Sequence, residues 1–166
     1  SMNLKGKLPL LKSSITHLLD IMRPEDRLSL IAYSGEAELL IGGASIKNRA
    51  EVKGVLDTLH SSGGTDIENG VTMAYQTAEK SLMKNGNNRI IIATDGEFGV
   101  RAPLLKIVND HALSGVYLSV FQFNDSNKSP RNTNLKTLAD TGKGSDRTIT
   151  STEQALKELI HEVKKK

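Results

Sequence analysis

The sequence predicts a three-layer α/β fold, with a mostly parallel central sheet, one antiparallel edge strand and helices on both faces. Two nearly continuous apolar runs, at residues 89–94 and 116–123, are typical of strands buried on both faces of a parallel sheet. Segments with helical apolar spacing alternate with these strands, which is the order of βαβ units. No repeat or low-complexity linker divides the 166 residues, so we expect one domain over residues 1–166.

Turn residues and apolar spacing place the elements in order along the chain. Pro24 ends the first helix, Ser45 can cap the second, and the turn at residues 34–36 joins the first two strands into a hairpin. The predicted helices cover residues 7–22, 46–59, 67–84, 103–113, 135–140 and 152–164. The predicted strands cover residues 27–33, 37–41, 89–94, 116–123 and 147–150.

Composition excludes several classes of function. The chain has no cysteine, which rules out disulfides and thiolate metal sites. Its formal net charge is +3, and the lysines at residues 164–166 account for that excess. With three Phe, three Tyr and no Trp, it lacks the basic and aromatic surface of a nucleic-acid-binding protein. No stretch approaches the ~18 apolar residues of a membrane span, so we expect neither a nucleic-acid partner nor a span.

Two polar loops lie where a ligand site is expected. Residues 63–66, Gly-Gly-Thr-Asp, directly precede a helix, and residues 94–97, Thr-Asp-Gly-Glu, end a buried strand. In open α/β sheets, ligands bind at the carboxyl ends of the strands. Hydroxyl and carboxylate oxygens suit Mg²⁺, Ca²⁺ or Mn²⁺. Simpler interpretations remain, because Thr65 or Asp66 can cap the helix, and Asp95 with Gly96 can form a turn.

No catalytic motif accompanies these loops. The four histidines lack the spacing of a zinc site, and no serine lies in a Gly-x-Ser-x-Gly frame. The Gly-rich motifs of dinucleotide and P-loop sites are also missing. We therefore expect a binding domain and no enzyme. Two alternatives stay open: a metal-independent assembly module, and an enzyme that uses Asp95 as a phosphoryl acceptor or metal ligand.

Four motifs together resemble the von Willebrand factor type A (vWA) domain, in particular its bacterial branch. They are Lys-Leu-Pro-Leu-Leu-Lys at residues 7–12, Arg-Pro-Glu-Asp-Arg-Leu-Ser-Leu-Ile-Ala-Tyr at 23–33, Ser-Gly-Gly-Thr at 62–65, and Asn-Asn-Arg-Ile-Ile-Ile-Ala-Thr-Asp-Gly at 87–96. The resemblance covers nearly the whole chain. It implies a Rossmann-like fold, a role in protein interaction or adhesion, and a place in the bacterial cell envelope or outside the cell.

The resemblance also implies a metal-ion-dependent adhesion site (MIDAS) built from three loops. The family's ligands come from an Asp-x-Ser-x-Ser motif after the first strand, a Thr in the second loop and an Asp in the third. Thr65 matches the second position and Asp95 the third. Asp66 and Glu97 are neighbours without an assigned role. A Glu or Asp of a partner protein would complete the shell of a Mg²⁺, Ca²⁺ or Mn²⁺ ion.

The chain departs from the family pattern at its start. Ser1-Met2-Asn3 stand where the family has an apolar strand that ends in Asp-x-Ser-Gly-Ser-Met. Ser1 is either the last serine of that motif, and then a metal ligand, or a residue left by a cleaved tag. With the first motif incomplete, we expect Mg²⁺ binding to be weak or absent.

The missing first strand has a structural consequence. In the family's sheet it is central, between the strands at residues 28–33 and 89–94. Backbone groups facing such a gap need partners. We therefore expect another segment to fill it: a strand from a second copy, a rearranged neighbouring strand, or direct closure of the two flanking strands.

Overall fold

The computed structural model describes residues 7–60, 65–95, 98–124 and 132–165. Its helices are α1 Lys7–Ile21, α2 Arg49–Thr58, α3 Ile67–Lys80, α4 Ala102–Asp110, α5 Thr133–Thr141 and α6 Thr152–Lys164. Its strands are β1 Leu28–Ala32, β2 Glu38–Ala44, β3 Asn88–Thr94, β4 Val116–Phe123 and β5 Lys143–Ile149. The alternation of strands and helices confirms the predicted α/β class.

The ends of several elements differ from the prediction. A 3-10 turn at Ile46–Asn48 precedes α2, because Ser45 and Asn48 form a capping box: Ser45 Oγ accepts the Lys47 N–H at 3.3 Å, and Asn48 Oδ1 accepts the Ser45 N–H at 3.1 Å. α3 ends four residues early, since the Asn88 side chain bonds both backbone groups of Met83 at 2.9 Å.

The strands form two sheets. β1 and β2 are the predicted antiparallel hairpin, with Ala32 opposite Glu38. β3, β4 and β5 form a parallel sheet in that order. No strand pairing of the described residues joins β1 to β3. The single sheet predicted from the sequence is therefore divided in two, and direct closure of β1 on β3 is not found.

α1 connects the two sheets on one face. Its residues take part in two apolar clusters, one built on β4 and β5 and the other on β2 and α2. Leu18 belongs to the first cluster, at whose edge Ile91 and Ala93 of β3 lie, whereas Ile15 and Leu19 belong to the second. One helix thus packs against both sheets.

α3 connects the sheets on the opposite face. Val71 and Tyr75 of this helix pack in the largest cluster with Ile90 and Ile92 of β3, and Tyr33, which follows β1, lies at its edge. Alternate residues of a strand point to opposite faces, so α1 and α3 cover different sides of β3. Side chains of the two helices hold the hairpin and the parallel sheet together.

β3 is less buried than its apolar sequence predicts. Ile90 and Ile92 are buried, but Ile91 and Ala93 are only partly buried. The residues of β1 are all partly exposed. β4, which has a strand on each side, is buried except at Tyr117. The prediction that β3 is fully buried was wrong, because β3 borders the division between the sheets.

Candidate metal and ligand site

Asp95 lies at the carboxyl end of β3, directly after the buried Thr94. Only 6% of Asp95 is exposed, and both residues have polar partners. A buried carboxylate is costly unless it is hydrogen-bonded or close to a positive charge. Its position at the end of a parallel strand is the one predicted for a ligand group.

Thr65 and Asp66 lie directly before α3, as predicted. Thr65 is exposed, and Asp66 is the N-cap residue. The Asp66 carboxylate does not cap the helix, however. Its Oδ2 accepts the Ala37 N–H at 3.3 Å and the Asn69 side-chain amide at 3.0 Å. The simpler interpretation of Asp66 as a helix cap was wrong, since its side chain joins the hairpin turn to the start of α3.

Tyr33 links the two predicted loops. Its hydroxyl donates to the carbonyl of Ala93 at 2.7 Å, and its own carbonyl accepts the Asp66 N–H at 2.7 Å. The start of α3 and the end of β3 are thus connected to the same residue. Sequence analysis missed this role. The available signal was a lone aromatic residue at the polar end of an apolar strand.

Close packing keeps Tyr33 in this position. A Cβ atom added to Gly70 would lie 2.7 Å from the Cβ of Tyr33, which is too close for a carbon contact. The glycine therefore allows α3 to approach the end of β1. This approach puts the α3 N-terminus, with Thr65, at the carboxyl edge of the sheets.

The donor set suits a hard divalent cation only in part. Thr65 offers a hydroxyl and Asp95 a carboxylate, and Mg²⁺ accepts one or two carboxylates with water completing its shell. Within residues 7–60, 65–95, 98–124 and 132–165, no three His, Asp or Glu side chains gather to hold a metal. Ser1, Gly96 and Glu97 lie outside the described residues. Among the described residues, Thr65 and Asp95 are therefore the predicted ligands that the structure includes.

These features define a doubly wound α/β binding domain with oxygen donors at the carboxyl edge of its strands. The profile of the von Willebrand factor type A domain matches residues 1–97. The chain belongs to this family, as the sequence motifs implied.

One relative is the uncharacterized Escherichia coli protein YfbK, which is 33% identical over 162 residues. The match covers 95% of this chain but 28% of that protein, so the chain spans less than a third of its relative.

Solved structures share the fold. BatB from Bacteroides thetaiotaomicron has a TM-score of 0.79 at 18% identity, covering 98% of this chain and 90% of BatB. Proximal thread matrix protein 1 from the mussel byssus, solved with a zinc-occupied MIDAS motif, has a TM-score of 0.70 at 15% identity and covers 97% of this chain and 43% of that one. Divalent metal binding thus occurs in the family. Among the helices described here, none is long and apolar enough to cross a membrane.

Proposed function

We propose that this domain binds a partner protein through the carboxyl edge of its sheets and catalyses no reaction. Family membership supports a role in protein interaction. The observation that carries the proposal is the buried Asp95 at the end of β3, linked through Tyr33 to the loop of Thr65. For an enzyme using Asp95 we find less support, since none of the described strands ends in a lysine.

The proposed site holds Mg²⁺, Ca²⁺ or Mn²⁺ between Thr65 and Asp95, each bound directly or through water. A carboxylate from the partner completes the shell, because few protein charges leave the cation electrophilic. Asp66 and Glu97 are neighbours of the site, and Ser1 is a ligand only if it is native. With two ligands, the isolated chain is expected to bind Mg²⁺ weakly or not at all. We propose a place in the cell envelope or outside the cell, on the resemblance to the bacterial branch.

Paramagnetic broadening by Mn²⁺ tests the site even when binding is weak. In nuclear magnetic resonance spectra, MnCl₂ is expected to broaden the amide signals of Thr65 and Asp95 first. Asp95→Asn should abolish this selectivity. Asp140→Asn is the matched control, since it removes an exposed carboxylate that pairs with Lys136 on α5.

Two results would contradict the metal proposal. If MnCl₂ broadens the amide signals near Thr65 equally in Asp95→Asn and Asp140→Asn, Asp95 is not a ligand of the metal. Calorimetry that gives a micromolar Kd for Mg²⁺ with the isolated chain would show that the site is not a partial one.

The division between the sheets favours a second function, assembly through an added strand. β1 and β3 each have one edge without a strand in the described part of the chain, and Ile91 and Ala93 are only partly buried there. We infer that an extended apolar strand enters between them, either from a second copy or by rearrangement of a neighbouring strand.

Light scattering over a range of concentrations separates the two sources of the strand. A protein that stays monomeric at every concentration rules out the second copy. Assembly through the strand should survive chelation of metals and the substitution Thr65→Ala, whereas assembly through the metal site should not.

A further inference from the structure

A pocket of about 430 Å³ lies at the carboxyl edge of the parallel sheet. It is lined by the first turn of α1, by Asn124 after β4, and by the segment that links β5 to α6. Neither Thr65 nor Asp95 lines it. Among the described residues that line the pocket, none has a carboxylate side chain.

Lys7 is the notable residue of this pocket. It is 4% exposed, and no hydrogen bond or ion pair of its ammonium group is found in the described part of the chain. A buried ammonium without a partner is costly. Among the described side chains, only the Tyr75 hydroxyl is both fully enclosed and without a partner. The Lys7 ammonium therefore keeps an opening, and the pocket is the opening that Lys7 lines.

Two helix N-termini meet at the same pocket. α1 begins at Lys7 and α6 at Thr152, and the two helices pack against each other. Their dipoles place partial positive charge at the pocket. In α6, Ser151 Oγ accepts the N–H of Gln154 at 3.1 Å, which leaves the N–H groups of Thr152 and Glu153 without a described acceptor.

Side-chain donors surround this positive region. Ser151 and Thr152 contribute hydroxyl groups. Asn124 is largely buried, and its Oδ1 accepts the Gln122 amide at 3.5 Å. The Asn124 amide nitrogen donates to no described residue. The pocket thus combines an ammonium, free backbone N–H groups and several neutral donors.

We propose that this pocket binds a phosphate group, either free or as the monoester of a small molecule. Helix N-termini bind phosphate through backbone N–H groups and the helix dipole. Lys7 adds a point charge, and charge-assisted hydrogen bonds are stronger than neutral ones. The volume exceeds that of a bare phosphate ion, which leaves room for a small ester group.

Phosphate titration of the whole chain tests the proposal. At constant ionic strength, inorganic phosphate should shift the amide signals of Asn124, Thr152 and Glu153 in a saturable way, and should raise the Tm. Lys7→Met should weaken binding at least tenfold without lowering the Tm of the phosphate-free protein, because methionine keeps an apolar side chain in place of the lysine stem and removes only the unpaired charge. Lys157→Met is the control, since it removes an exposed lysine of α6.

A second variant deletes a backbone donor. Thr152 is the first residue of α6, and Ser151 before it is extended (φ −147, ψ 158), so proline is compatible with this position. Thr152→Pro should keep the helix but weaken phosphate binding, since it loses one N–H and one hydroxyl. This variant keeps the test valid if Lys7→Met fails to fold.

The outcomes are distinct. Tighter binding of glycerol phosphate than of inorganic phosphate identifies a monoester site, and the reverse identifies a site for free phosphate. The proposal is overturned if the wild type shows no saturable response, if Lys7→Met binds as tightly as Lys157→Met, or if acetate binds as tightly as phosphate.

Discussion

Glu162 of α6 is a buried carboxylate that we expect to stabilise the fold. Its side chain is fully buried. It accepts hydrogen bonds from Ser119 Oγ at 2.8 Å and Lys165 Nζ at 2.6 Å, and Arg89 Nη1 lies 3.2 Å from Oε2. Burial alone would raise the pKa of Glu162, but hydrogen bonds from Lys165, Ser119 and Ser145 outweigh it, and the pKa is lowered. The carboxylate fastens the end of α6 to β3 and β4.

Glu162→Gln should therefore lower the free energy of unfolding substantially. Removing one partner of a buried ion pair costs about 3–5 kcal/mol. The side chains of Arg89 and Lys165 are 10% and 27% exposed, so water can partly solvate the cations left behind. We expect the lower end, about 3 kcal/mol, which corresponds to a fall in Tm of about 6–12 °C for a domain of this size.

Urea unfolding at neutral pH measures the effect, with Glu158→Gln as the matched control. Glu158 lies one turn earlier on α6 and pairs with Arg147 at 2.8 Å, with side chains that are 21% and 38% exposed. This pair is more accessible to water than Glu162, so its loss should cost less, about 1 kcal/mol. Equal losses in the two variants would refute the reasoning.

The pH dependence gives an independent check. The pKa of Glu162 is lower in the folded state than in the unfolded state, where a glutamate has a pKa of about 4.3. The carboxylate therefore stabilises the folded protein fully at pH values above the unfolded-state pKa, and this stabilisation is lost as the pH falls through the folded-state pKa. The advantage of the wild type over Glu162→Gln should thus be constant near neutral pH and shrink below about pH 4. A difference that stays constant into strong acid would show that the charge of Glu162 is not responsible.

Two further predictions concern packing. Gly70→Ala should destabilise the protein by about 1–3 kcal/mol, because its Cβ would lie 2.7 Å from that of Tyr33. Gly54→Ala is the control, since nothing lies within 4 Å of an added Cβ, and it should stabilise α2 by about 0.5–1 kcal/mol. Urea unfolding measures both variants. If the two substitutions change the free energy of unfolding in the same direction, the close contact between Gly70 and Tyr33 is contradicted. Tyr75 is fully enclosed, its hydroxyl has no partner among the described residues, and burial raises its pKa to about 12. Tyr75→Phe should leave the Tm unchanged or raise it, since an unpaired buried hydroxyl is unfavourable; a clear fall in Tm would mean that the hydroxyl has a partner.

The strands show where sequence patterns suffice and where they fail. β4 was predicted with its observed bounds, Val116–Phe123, because a strand covered on both faces is apolar throughout. β5 extends to Lys143, four residues before the prediction. Its first half is polar, and pairing with β4, not apolar alternation, makes it a strand. Long-range pairing of this kind leaves no local signal.

The candidate sites show the same limit. Asp95 and Thr65 could be placed at the carboxyl edge, because the position of a polar residue after a strand or before a helix can be read locally. Tyr33 and Lys7 could not. A lysine in the first turn of a helix is usually solvated, whereas Lys7 is 4% exposed in the folded chain, and no local pattern in the sequence indicates this.

The division between β1 and β3 affects how the protein unfolds. No continuous ladder of backbone hydrogen bonds runs from the hairpin to the parallel sheet among the described residues. The two halves cooperate through the packing of α1 and α3 and through side-chain contacts such as the Tyr33 hydroxyl with the Ala93 carbonyl. Local opening along this plane requires less disruption than unfolding β4. A strand bound between the halves would act as a thermodynamic ligand, raising the stability of both at once. The same division would then set both the cooperativity of the domain and its response to a partner.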